Sequence, residues 1–215
     1  MENTNSHKIS AAKSIAMSFG LLGALGGMVH GVGEVLQGAI EPAGVFVSSW
    51  TQGPIALYFD GDPAITLIPN MLLTGVITLF VSLFMAVFSI AFMEKKHAGL
   101  VLILLSFLLL LVGGGIGPPT LSLFAGIAGL GINAKHSWWR RHVKGRVQFF
   151  LSRAWPFVFL ACLSNGIFNV IGHVVAAYFF APASGELFLN SFLMAIPLLL
   201  ASIITGTAYD SKCSD

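Results

Sequence analysis

The chain has 215 residues, 56% hydrophobic and only 9% charged, with a formal net charge of +2. A soluble globular domain is nearer a quarter charged, and several apolar runs here reach the roughly 18–20 residues that cross a bilayer. The composition excludes a soluble protein and predicts an all-α integral membrane fold, a polytopic bundle of six helices forming one domain over residues 1–215.

The first span is predicted at 12–33. Lys8 and Lys13 precede it, as in a signal peptide, but the apolar stretch is too long and lacks a small-x-small cleavage site. Gly20, Gly23, Gly27 and Gly31 recur every three or four residues and form one stripe. Small residues let helix backbones approach closely in lipid, where hydrophobicity cannot drive association. His30, Glu34 and Gln37 continue the same stripe, so they are expected to face the bundle. His30 lies ~24 Å above Ser14 along the axis, in the outer part of the membrane.

Residues 38–63 form the outer-face loop. Within it 43–59, "AGVFVSSWTQGPIALYF", is apolar, but Gly53-Pro54 interrupts it, and it reads as interfacial or re-entrant. Asp60-Gly-Asp62 reads as a turn before Pro63. The second span, 64–93, carries Pro69-Asn70 near its outer end. The third, 98–116, runs into "GGGIGPP" at 113–119. Tight packing and a sharp turn are the expectation there, with a flexible gate as the functional alternative. A phosphate loop is excluded because no Lys-Ser/Thr follows the glycines. The fourth span, 120–133, is short: fourteen residues rise ~21 Å against a ~30 Å core, so its neighbours must shield it.

The loop 134–153 is basic and contains "KHSWWRRHVKGR". It reads as a topology anchor with interfacial tryptophans, or as a site where Arg140, Arg141, Lys144 and Arg146 hold anionic lipid head groups. So short a loop, pressed against a membrane, does not suit nucleic acid. The fifth span, 156–180, places Asn165, Asn169 and His173 on one face at i, i+4 and i+8. The sixth, 187–209, carries Asn190 near its outer end, just after Glu186. Cys162 and Cys213 form no CxxC or disulfide framework.

Six spans gather all eleven Lys and Arg residues on one side, with Glu34, Glu41, Asp60, Asp62 and Glu186 opposite. The positive-inside rule then puts both termini in the cytoplasm of a cell-membrane protein. His30, Glu34, Asn70, Asn165, Asn169, His173 and Asn190 form an outward-facing polar cluster contributed by four helices. Three functions stay open. The cluster binds a small ligand, a proton or a cation, for transport or otherwise, with zinc on His30, Glu34 and His173 as the metal version. It is the acid–base or metal centre of a membrane-embedded enzyme acting on a lipid-like substrate. Or it is interhelical hydrogen bonding in a structural or accessory subunit.

Overall fold

The computed structural model describes residues 10–53, 56, 61–134, 137–143, 145–180 and 184–213. Its elements are α1 (Ala11–Val35), β1 (Phe46–Ser48), β2 (Pro63–Ile65), α2 (Met71–Ala91), α3 (Ala98–Leu111) and α4 (Gly117–Leu130). There follow α5 (Ser137–His142), α6 (Gly145–Ile167), a π-helical turn (Phe168–Gly172), α7 (His173–Phe180) and α8 (Ser184–Cys213). Four stretches are long and apolar enough to cross a membrane: Ala11–Val35, Met71–Ala91, Gly145–Gly172 and Glu186–Lys212. Helices α3 and α4, of 14 residues each, rise only ~21 Å. Phe80, Phe84, Leu104, Phe107 and Phe157 are exposed on the outside, where lipid would cover an apolar surface of that extent.

Helix α1 lies at the centre, packed mainly on α2 and α4, and its glycines set how close those helices come. A methyl group on Gly20 or Gly27 would meet Ser89 or Ser82 of α2 at 2.4 Å, and one on Gly23 would meet Ser122 of α4 at 2.0 Å. On Gly31 it would meet the Gly75 carbonyl at 3.0 Å. The predicted stripe therefore packs inward and divides between two partners. Below it, Ile15, Phe19, Leu22, Met85, Leu102, Leu121 and Leu199 fill the core.

Both described ends of the chain meet. Ser10 caps α1, its hydroxyl accepting from Lys13 N–H at 3.3 Å. Asp210 of α8 accepts from the N–H groups of Ala11 at 2.7 Å and Ala12 at 2.9 Å, and from the Ser10 hydroxyl at 2.9 Å. Lys13 pairs with Glu94 at the same end, and Lys212 and Arg153 both lie over the Phe149 ring.

Several boundaries differ from the sequence expectation. The second span starts at Met71 rather than 64, because 63–65 pair antiparallel with 46–48 and Asn70 caps the helix. Residues 46–48 of the loop expected to be interfacial or re-entrant are thus a strand. The β-ribbon is tied to the bundle by Met71 N–H to Ile40 O (2.9 Å) and Leu67 N–H to Leu111 O (3.1 Å). Most of 54–60, Asp60 included, lies outside the described residues. The third span stops at Leu111 because Gly113 (φ +105°) and Gly115 (φ +78°) adopt left-handed backbone. The fourth starts at Gly117, with Pro118 and Pro119 in its first turn, where their missing N–H groups cost nothing. The basic stretch 134–153 is not a continuous loop: α5 occupies 137–142 and α6 begins at Gly145, well before Pro156, which sits inside the helix.

Candidate functional site

The C-terminal third of α1 builds the site. His30 and Glu34 are 3% and 0% exposed. One turn further out, Gln37 donates its amide to the carbonyls of Ser48 and Ser49, both at 2.8 Å. Gly33 has no side chain, and a methyl group there would strike the Ser49 carbonyl at 2.5 Å. Together these two residues seat the end of β1 on α1. Ser49, fully buried, is thereby placed between the two titratable groups.

The result is a linear network. Ser49 Oγ lies 2.8 Å from His30 Nδ1 and 3.1 Å from Glu34 Oε1. His30 Nε2 lies 3.1 Å from Asp62 Oδ2, whose side chain is 20% exposed. Ser49 N–H donates to the Asp62 carbonyl at 2.9 Å, which ties the two partners of His30 to one another. The order is Glu34, Ser49, His30, Asp62, from the buried end to the open one. The second oxygen of Glu34, Oε2, has no hydrogen-bond partner. Thr78 adjoins the carboxylate, but its hydroxyl proton goes to the Val112 carbonyl.

The turn between α3 and α4 closes over this network. A methyl group on Gly115 would sit 2.2 Å from His30 Nε2, and one on Gly113 would sit 2.5 and 2.6 Å from the two Glu34 oxygens. The backbone is left-handed at both positions. The glycines of "GGGIGPP" therefore make a sharp turn, as expected, and do so directly against His30 and Glu34.

His30 and Asp62 form the polar edge of a partly open cavity of about 190 Å³ between α1, α4, the π turn and α8. Asn169 supplies a second polar group, and the remaining wall is mainly apolar, including Ile116, Val170, Phe188, Phe192 and Ile196. Asn169 sits in the π turn, where the extra residue rotates the helix face; such turns recur at functional sites. Its Nδ2 donates to Asn165 O (2.9 Å), Asn165 Oδ1 (3.1 Å) and Ser191 Oγ (2.9 Å). Its Oδ1 is buried without a donor.

The cluster expected from the sequence assembles in part. His30 and Glu34 join through Ser49. Asn165 and Asn169 join each other and Ser191, with Asn165 Nδ2 donating to Ser191 Oγ at 2.8 Å. Asn70 acts as the N-cap of α2, accepting from Leu73 N–H at 3.0 Å. Asn190 is exposed, and the next residue, Ser191, turns inward instead. The His173 side chain lies outside the described structure, as does Lys144. Arg141 and Arg146 are exposed and Arg140 is half-buried. Ser49 and Asp62 were not expected in the site. One is uncharged and the other reads as a turn residue; the only signal was the scarcity of carboxylates that makes any outer Asp conspicuous.

Two chemistries can be weighed on this geometry. Ser49, His30 and Asp62 have the residue types of a nucleophilic triad, but Ser49 is buried behind His30 and is absent from the cavity wall. A substrate in the cavity would meet the imidazole and Asp62, not the hydroxyl. For a metal, His30 Nδ1 and Glu34 Oε1 both turn to Ser49 Oγ, which stands where a shared ion would sit. Among the described residues, no three His, Cys, Asp or Glu side chains are grouped to hold a metal. Comparison with protein-family models, with curated proteins and with solved structures returns no match for this chain.

Proposed function

We propose that this membrane protein binds a small amphiphilic organic cation in the cavity between α1, α4, the π turn and α8. The observation that carries the reading is the pairing of a mainly apolar, Phe-lined wall with one fixed polar edge, His30–Asp62. Cavities between bundle helices with few convergent polar groups are the usual form of small-ligand sites. A volume of about 190 Å³ exceeds the ~150 Å³ that accepts benzene, so a ring with a small head group fits. Asp62 supplies negative charge, and the rings of Phe188 and Phe192 supply faces that attract an ammonium group.

The location of charge favours a cation further. The described Lys and Arg residues lie at the other end of the bundle, with Asp210 and Glu94. Six crossings with the basic end in the cytoplasm then open the cavity outward. An acidic mouth without cations raises the local concentration of positive ligands. A membrane-embedded acid–base enzyme is the second reading, favoured by His30 facing the cavity with two carboxylates in line behind and beside it.

The test uses purified full-length chain in lipid nanodiscs. Benzyltrimethylammonium is compared with neopentylbenzene, its uncharged isostere. The cation is expected to bind at least about tenfold more tightly, the size of one ionic contact of about 1.4 kcal/mol. Equal binding of the two, or no binding of the cation, contradicts the reading.

A further inference from the structure

Resting on the cation reading above, we infer that the Glu34–Ser49–His30 chain is a proton relay that moves a proton inward when a cation docks at Asp62. The observed contacts are satisfied by two proton placements. In the first, His30 is an imidazolium: Nε2–H donates to Asp62, Nδ1–H donates to Ser49 Oγ, and the Ser49 hydroxyl donates to Glu34 Oε1. In the second, Glu34 is a neutral carboxyl that donates to Ser49 Oγ. Ser49 then donates to His30 Nδ1, and Nε2–H still donates to Asp62. A histidine ring accepts at one nitrogen when neutral and donates from both when charged, and a hydroxyl does either.

The step between them balances without any outside partner. The His30 Nδ1–H bond breaks as a new Oγ–H bond forms on Ser49. The old Oγ–H bond of Ser49 breaks as an O–H bond forms on Glu34. One positive charge leaves the imidazole and one negative charge leaves Glu34. No heavy atom has to move more than hydrogen-bond adjustment, because the same three contacts serve both states.

The cavity supplies the reason for the shift. An ammonium group beside Asp62 and an imidazolium on the other side of the same carboxylate repel each other. Passing the proton to Glu34 removes that repulsion and leaves the negative charge of Asp62 to the ligand, with the neutral imidazole still donating to it. Glu34 is suited to receive it: Oε1 already lies 3.1 Å from Ser49 Oγ, so the proton crosses an existing contact and displaces none. Gly113 and Gly115 keep the turn backbone against both residues, and Glu34 at the far end of the chain is fully buried. The groups facing this chain are Asp62 from the segment before β2, Thr74 and Thr78 from α2, Asn169 from the π turn, and the phenyl rings of α8. Asp62 and Glu34 are thus the two carboxylates between which His30 is poised.

Infrared difference spectroscopy on the full chain in nanodiscs tests the relay, with benzyltrimethylammonium as the probe. This cation has no acidic proton, so any new carboxylic-acid signal comes from the protein. The expected result is one protonated-carboxyl band on binding, with no stoichiometric proton release to a dye in the medium. The band should vanish in Glu34→Gln, a near-isosteric change, and in Ser49→Ala, which removes the bridging hydroxyl. Binding in both variants should weaken about tenfold, within the usual range of coupling between sites. Binding in the wild type without the band, or with a proton released to solution, overturns the relay but leaves the cation site standing. Persistence of the band in Glu34→Gln also overturns it. Failure of the wild type to bind the probe removes the cation site and the relay together.

Discussion

Each end of α1 holds one buried carboxylate, Asp210 from α8 at the one and Glu34 of α1 itself at the other, and the bundle uses them differently. At the basic end, Asp210 accepts from Ala11 N–H, Ala12 N–H and the Ser10 hydroxyl, so both of its oxygens are engaged. It also sits at the positive end of the α1 dipole, where an anion is favoured. At the opposite end, Glu34 is engaged at one oxygen only, and its network runs on through Ser49 and His30 to the edge of a cavity. The contrast separates a clasp from a site. A fully satisfied carboxylate stabilises a fold, whereas one with spare acceptor capacity, wired to a cavity, is free to respond to what enters.

Substitutions should break that contrast in graded fashion. Gly115→Ala is expected to be the most damaging, because it forces a side chain into a left-handed backbone and onto the His30 ring. Strain and overpacking together predict about 3 kcal/mol of lost stability, with loss of cation binding in whatever folds, read by thermal unfolding and by titration. Asp210→Ala should cost about 2–3 kcal/mol, the size of charge-assisted hydrogen bonds left without an acceptor. It should lower the unfolding midpoint while the folded fraction binds cation as before. Asn169→Ala removes a member of the Asn165–Ser191 network and a polar group of the cavity. A fall of about 1 kcal/mol in stability is expected, with binding weakened a few-fold. The smallest effects belong to the two asparagines away from the cavity. Asn70→Ala should cost about 1 kcal/mol as a lost N-cap and Asn190→Ala less than about 0.5 kcal/mol, neither altering binding.

How far the sequence foretold this site depends on the distance over which each part is specified. The inward stripe of α1 was legible because Gly20, Gly23, Gly27, His30 and Glu34 share one helical period, and a helix carries that order without help. The meeting of Asn165 with Asn169 follows from i, i+4 spacing in the same way. Ser49 was invisible, since a hydroxyl in an apolar loop has no periodicity, and its position depends on Gln37 and Gly33 gripping the strand. Three-residue strands are too short to show alternation, which is why residues 64 and 65 of β2 fall inside the second span expected from the sequence. Asn190 and Ser191 exchanged roles because one residue is ~100° of rotation, more than a boundary set to a few residues can resolve. The glycines at 113 and 115 announced a turn, but only the folded chain places that turn on His30 and Glu34.

On the proposed function, the end bearing His30 binds a ligand while the end bearing Asp210 holds the bundle together. The most direct measurement compares Asp62→Asn with Asp210→Asn, following benzyltrimethylammonium affinity and unfolding midpoint on the same preparations. Asp62→Asn is expected to lose about tenfold or more in affinity with little change in midpoint, and Asp210→Asn to lower the midpoint with affinity intact. Unchanged affinity in Asp62→Asn, or the same fall in both properties for both variants, would contradict it.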